Sequence, residues 1–174
     1  MLINWALLIL RVVVGLTLAA HGAQKLFGWF GGPGFARLMQ GQQAQGFRPA
    51  WIWSPLVVLG ELGGGLSLAF GFLTPLGAAG VVGAMTMAIL KVHWKNGFFN
   101  GNRGIEFPLQ LLAAAAAVGL AGPGAYSLDA LLNLHLPQAQ LFGALALAAV
   151  IVDIIGLLIS RSAAAPPKAP ARAV

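Results

Sequence analysis

The sequence has no cysteine, a single tyrosine, four acidic residues and only 8% charged residues. Each scarcity excludes something. Without cysteine there can be no disulfide framework, no thiolate metal site and no iron–sulfur cluster. Any metal or haem would fall to His21, His93 and His135, with carboxylates or water. A soluble domain carries roughly 25% charged residues. A charged fraction of 8% cannot cover the soluble surface of a chain of 174 residues, and a mean hydropathy of +0.85 agrees. No flavin or nicotinamide fingerprint is present either, so the chain shows no electron carrier of its own.

What is there is apolar residue, 59% of the total, arranged in long runs. A helix of about 20 residues crosses the hydrocarbon core. The runs predict an all-α integral membrane protein: a four-helix transmembrane bundle, an interfacial amphipathic helix after span one, and an additional fifth C-terminal span. The expected spans are 2–27, 51–73, 76–94, 105–122 and 137–159 within one transmembrane domain, 1–160. An Ala/Pro-rich tail, 161–174, is too polar and short to fold and is expected to be disordered. The N-terminal run opens without a basic residue and is interrupted by Arg11, which reads as a retained span rather than a signal peptide. After it, Phe35, Leu38 and Met39 share a helical face opposite Arg37 and Gln40, the pattern of a helix lying in the interface.

Small residues recur at helical spacing. Gly15, Ala19 and Ala23 make one stripe, Gly60 and Gly64 a second, Gly80 and Ala84 a third, each permitting close helix approach. Thr74-Pro75 leaves room for only a short turn, so spans two and three are antiparallel neighbours. Charge then orients the bundle. Lys25, Arg37, Arg48, Lys91, Lys95, Arg103, Arg161, Lys168 and Arg172 all fall on one set of alternating loops and the tail, leaving Arg11 alone. By the positive-inside rule the N-terminus is outside and the C-terminus cytoplasmic. The same placement accounts for a net charge of +6 without nucleic acid as a partner. The bilayer is the partner that composition demands, with other membrane subunits or further copies of the chain beside it.

Polar residues in apolar surroundings are the candidates for function. Glu61 lies about ten residues into span two, where a lone ionised carboxylate costs several kcal/mol and has to be paired, hydrated or protonated. Arg11, entering from the opposite side, is expected within a turn or so of the same height, giving a structural Arg11–Glu61 ion pair. Glu61 equally suits proton exchange or ligand contact. His21, Gln24 and Lys25 occupy one side of a helix turn, at the boundary that His93 and Glu106 also reach. Imidazole, carboxylate and the nearby Trp29, Trp94 and Phe98 admit a quinone headgroup or similar small polar ligand. They admit equally a bis-His haem between His21 and His93, a metal held by His21, His93 and Glu106, or no ligand, with Lys25 snorkelling at a solvated helix end. His135, beside Pro137, reads as a loop residue.

Several separated motifs occur in order: AHGAQKLFGWFGGPG, GELGGGLSLAFGFLTPLGA, VHWKNGFF and IEFPLQLL followed by GPGAYSLDALL. Over roughly residues 7–132 they resemble the DoxX family of small bacterial membrane proteins. The resemblance implies a four-helix membrane bundle in the inner (cytoplasmic) membrane and an association with quinone-linked oxidoreductases. It carries His21, Gln24, Lys25, Glu61, His93 and Glu106 over as motif residues, without an established catalytic assignment. The expected function is a membrane subunit or accessory of such a system, with a quinone as cofactor. In that expectation Glu61, His21 and His93 exchange protons, while Gln24, Lys25, Trp29, Trp94 and Glu106 contact the ligand. Redox activity would need a bound cofactor or a partner subunit. A non-catalytic assembly subunit and a small-solute permease are the alternatives. The span 137–159 departs from the family pattern.

Overall fold

The computed structural model describes residues 1–164, and every regular element in that range is helical. Helix α1 is Leu2–Phe27. It stops where Gly28 takes a left-handed conformation (φ 76°) and returns its N–H to the Gln24 carbonyl, the usual C-terminal use of glycine. A single turn at Trp29–Gly31 leads into α2, Gly34–Ala44. On α2, Phe35, Leu38, Met39 and Gln42 are half-buried while Arg37 and Gln40 are exposed.

Helix α3 is Ala50–Phe70 and α4 is Thr74–Asn96. Neither is α-helical throughout. Leu59–Gly63 in α3 and Ala88–His93 in α4 are π-helical turns, a wide turn that often marks functional sites. The chain continues through α5, Glu106–Ala121, the short α6, Leu128–Leu131, and α7, Gln138–Ala164. Helix α7 runs on past Arg161, so the first residues of the expected disordered tail are helical. The rest of that tail lies outside the described residues.

Among the described residues four helices are long and apolar enough to cross a membrane: α1, α3, α4 and the Gln138–Ser162 part of α7. Helix α5 has 16 residues, about 24 Å, short of a hydrocarbon core. The expected span at 105–122 is therefore an apolar helix below spanning length, though it runs between the same two ends of the bundle as its neighbours. At one end the Ala125 N–H donates to Asn4 Oδ1 (3.2 Å) and the Asp129 N–H to the Gly71 carbonyl (2.8 Å). At the other end the Glu106 N–H donates to the Phe98 carbonyl (2.9 Å), and Lys91 Nζ to Ser160 Oγ (2.8 Å).

Close backbone packing sets the register. A methyl group placed on Gly15 would sit 2.5 Å from the Ala69 nitrogen, one on Gly65 2.6 Å from the Ala19 nitrogen, and one on Gly22 2.4 Å from the Leu62 nitrogen. Helices α1 and α3 thus touch through backbone, as small-residue stripes permit. Gly60 meets Gly80 and Ala84 across α4 in the same way. The core is built of Val14, Leu18, Leu68, Ala78, Val81, Ala115 and Val118. Outside it, Ile9, Val13, Leu16, Leu59, Leu147, Ile154 and Leu158 are exposed, an apolar exterior that suits lipid rather than water.

That register overturns the expected Arg11–Glu61 pair. Gly15 lies opposite Ala69, and Gly22 opposite Leu62. Arg11 therefore falls level with Gly71, ten residues or about 15 Å along α3 from Glu61. Arg11 is buried beside Gly71 and Ser127, under the charge of Asp129.

Asp129 is also buried, and it accepts from the Leu73 N–H (2.7 Å), the Thr74 N–H (3.0 Å) and Thr74 Oγ1 (2.7 Å). Leu73 is left-handed (φ 49°), a conformation costing roughly 1–2 kcal/mol for a residue with a Cβ. The carboxylate offsets that strain and closes the α3–α4 turn. Ser127 caps α6, its Oγ accepting from the Ala130 N–H at 3.1 Å.

Candidate functional site: a cleft between α3, α4 and α7

Helices α3, α4 and α7 enclose a cleft of about 830 Å³, with α2 and the end of α1 along one edge. Its walls are mostly apolar or glycine: Val57, Gly60, Gly64, Gly80, Gly83, Ala84 and Met87 among them. One end is floored by Phe47 and Trp53, whose rings lie 5.7 Å apart. Trp53 packs on Gly156, and Gly46 presses on the Ser160 carbonyl. The segment entering α3 is in this way seated on the end of α7.

The polar residues of the cleft come from five helices. Lys25 of α1 forms an ion pair with Glu61 of α3. Glu61 is 4% exposed, and its other oxygen, Oε2, has no partner among the described residues. The π turn carries Glu61 between helical segments that pack against α1 on one side and α4 on the other. Lys91 sits in the second π turn, donates to Ser160 Oγ and lies 5.2 Å from the Phe47 ring centroid, within cation–π range. Gln42 contributes from α2, and Asp153 from α7.

His93, at the cleft's edge, places Nδ1 2.6 Å from the Arg103 carbonyl. A carbonyl only accepts, so Nδ1 carries the proton. Lys25, Glu61 and His93 are thus gathered along one cleft.

His21 is not among them. It is exposed, its ring stands against Phe107 at 5.8 Å, and it borders a separate small hollow with Thr17, Gln24 and Phe30. Gln24 Nε2 donates to the Phe30 carbonyl at 3.4 Å, and Glu106 Oε2 accepts from the Asn100 N–H at 2.8 Å. Trp29 and Trp94 are exposed. The shared pocket of His21, His93, Gln24 and Glu106 therefore does not assemble. Among the described residues no three His, Asp or Glu side chains converge as metal ligands. Lys25 parts company with His21, four residues before it, because its longer side chain crosses to α3 above Gly22.

Among the cleft residues not read from the sequence as site residues are Asp153, Gln42 and Lys91. Asp153 is the sharpest omission, since it is an acidic residue inside a spanning helix, the signal that singled out Glu61.

The apolar helices and their packing define a multi-pass helical membrane protein. The DoxX family profile matches residues 6–94, and the chain belongs to that family. It is similar to Inner membrane protein YqjF of Escherichia coli (strain K12), 38% identical over 108 residues, which cover 61% of this chain and 80% of that protein. No solved structure matches the chain. The profile match takes in α1 to α4, and with them Lys25, Glu61, Lys91 and His93, but stops before α5 and α7.

Proposed function

We propose that the protein is a multi-pass inner-membrane subunit or accessory of a quinone-linked oxidoreductase system, and that the α3–α4–α7 cleft holds the quinone-type ring. The observation that carries this reading is the cleft itself: about 830 Å³, apolar-walled, with the Lys25–Glu61 pair and Lys91 on its border. Pockets for small organic ligands run to about 300–1,000 Å³ and combine apolar walls with a few polar groups. A flat ring fits against glycine-rich walls, and the exposed apolar exterior of α3 and α4 gives an isoprenoid tail a path from the lipid. Lys25 and Lys91 supply donors to ring oxygens. Glu61, hydrogen-bonded to Lys25, is the group positioned to take or return a proton, with His93 at the edge. Electrons would come from a partner subunit or bound cofactor. Seven basic residues, Lys25, Arg37, Arg48, Lys91, Lys95, Arg103 and Arg161, lie towards one end of the bundle. We place that end at the cytoplasm.

The test uses purified protein in mild detergent. Lipid extracts should contain co-purifying quinone, and a decyl-tailed benzoquinone should quench tryptophan fluorescence through Trp53 in a saturable way. Gly63 borders the cleft and has room for a side chain: the nearest atom to a methyl group placed there would be Leu59 Cδ2, at 4.0 Å. Gly63→Leu should abolish saturable quenching while the protein stays folded. Quenching that is non-saturable, or indifferent to Gly63→Leu, defeats the proposal. The remaining role would then be that of an assembly subunit, with Lys25–Glu61 and Asp129 as interhelical locks.

A further inference from the structure

The cleft contains a bias in its unpartnered atoms. Glu61 Oε2, Asp153 Oδ2 and Gln42 Oε1 are buried without a hydrogen-bond partner among the described residues, and all three belong to side chains that line the cleft. All three are oxygens. Lys25 and Lys91 each direct one N–H to a partner, Glu61 and Ser160, and keep others for a ligand oxygen, so the unmet acceptors are what separates one ligand form from another. Glu61, paired through Oε1 with an ammonium, presents Oε2 as an acceptor. A carboxyl group binds at most one proton, so Asp153 also keeps an acceptor position.

Asp153 has no structural duty to explain its presence. It is 7% exposed, lies inside the apolar helix α7, and forms no ion pair or hydrogen bond among the described residues. Its Oδ2 is 4.0 Å from where a Cβ on Gly83 would stand. Gly60, the neighbour of Glu61, packs against Gly80 and Ala84. The two carboxylates therefore reach the cleft at the same turn of α4, one from α3 and one from α7. Unpaired intramembrane carboxylates are costly and mark ligand or ion pathways, and a buried acceptor left unmet loses its full hydration.

From these atoms we infer that Asp153 is a ligand-binding residue, and that with Glu61 it selects a ligand head bearing hydrogen-bond donors: the hydroquinone form rather than the quinone. A quinone offers two carbonyl acceptors and leaves the carboxylate oxygens unmet. A hydroquinone of the same shape turns two hydroxyl donors outward from opposite ends of one ring. This assignment rests on the reading of the cleft as a quinone-type site and specifies which redox form it holds. It concerns binding alone and requires no electron transfer.

The test compares four probes under anaerobic conditions on the full chain in detergent: a decyl-tailed benzoquinol, the matching benzoquinone, the quinol's dimethyl ether, which removes both donors, and decylammonium. The quinol should bind about tenfold or more tightly than the quinone or the ether, the worth of one or two charge-assisted hydrogen bonds. Asp153→Leu should bring quinol and quinone affinities within about threefold of each other. It should not lower the thermal unfolding midpoint, because it removes a carboxylate without a partner. Should that variant fail to fold, the ether comparison on the unaltered chain still decides. Equal binding of quinol and ether, or tighter binding of quinone, overturns the inference while leaving the cleft a quinone-type site. Stronger binding of decylammonium than of the quinol overturns it in favour of a cationic ligand. Absence of saturable binding by all the probes defeats the cleft reading beneath it.

Discussion

Removing Lys25 tests the register of the bundle and the chemistry of the cleft together. In Lys25→Met the apolar stem is kept and the ammonium lost, leaving Glu61 buried with no ion-pair partner. The two side chains are unequal: Lys25 is 30% exposed and Glu61 5%. Breaking a fully buried pair costs about 3–5 kcal/mol, whereas exposed pairs are worth about 0.2–1 kcal/mol. The half-wet lysine places Lys25→Met between them, at about 2 kcal/mol. Glu61→Gln should cost less, about 1 kcal/mol, because the amide oxygen still accepts from Lys25 and the freed ammonium can turn to water. The double variant should then be less destabilised than the sum, with a coupling of about 1–2 kcal/mol. Equilibrium unfolding in mixed detergent–SDS micelles, followed by circular dichroism, measures all four corners of the cycle. A parallel cycle of Arg11→Met with Glu61→Gln serves as the control. Those residues are about 15 Å apart along α3, so their effects should add to within about 0.5 kcal/mol. Stronger coupling of Glu61 to Arg11 than to Lys25 would refute the helix register on which the description of the cleft depends.

Two further outcomes follow from the packing. Asp129→Ala removes three hydrogen bonds at the α3–α4 turn and leaves Leu73 strained. It should destabilise the protein by about 3 kcal/mol or more and speed amide exchange at Leu73 and Thr74, whereas unchanged exchange there would show that the turn does not need the carboxylate. Gly22→Leu sets a Cβ 2.4 Å from the Leu62 nitrogen and should force α1 from α3. The clash should lower the thermal unfolding midpoint well below that of the unaltered chain, and an unchanged midpoint would contradict the backbone contact.

The sequence was most legible where one residue type suffices to state a physical fact. Scarce charge and long apolar runs specified membrane helices. The spacings of Gly15 with Ala19 and Gly60 with Gly64 marked the faces where backbones meet. What escaped was register. Counting inward from helix ends put Arg11 and Glu61 at one height, but glycine contacts slide α1 along α3 until Lys25 is the cation that reaches. Asp129 reads locally as part of a helix start, while its partners Leu73 and Thr74 lie more than fifty residues away. Asp153 becomes a cleft residue only once α7 has docked on α4. His21 and Lys25 share a helix side by spacing, yet the difference in side-chain length sends them to different neighbours. The π turns leave no periodic trace, since each is a single interruption in an otherwise apolar helix.

Those wide turns have a bearing on how the chain can change length. A turn closed from residue i to i+5 holds one residue more than its α-helical counterpart. In α3 the extra residue lies within Leu59–Gly63, and in α4 within Ala88–His93. Deleting one residue from either stretch would let the helix heal into regular α-form, a local gain in regularity. Because the wide turn already absorbs that extra residue, the helix on either side would keep its facing, with Trp53 still on Gly156 and Gly65 still on Ala19. What would be lost is the local widening of the backbone at Glu61 or at Lys91. Substitutions near Glu61 alter what the cleft contains, whereas a one-residue deletion there alters the backbone that presents it.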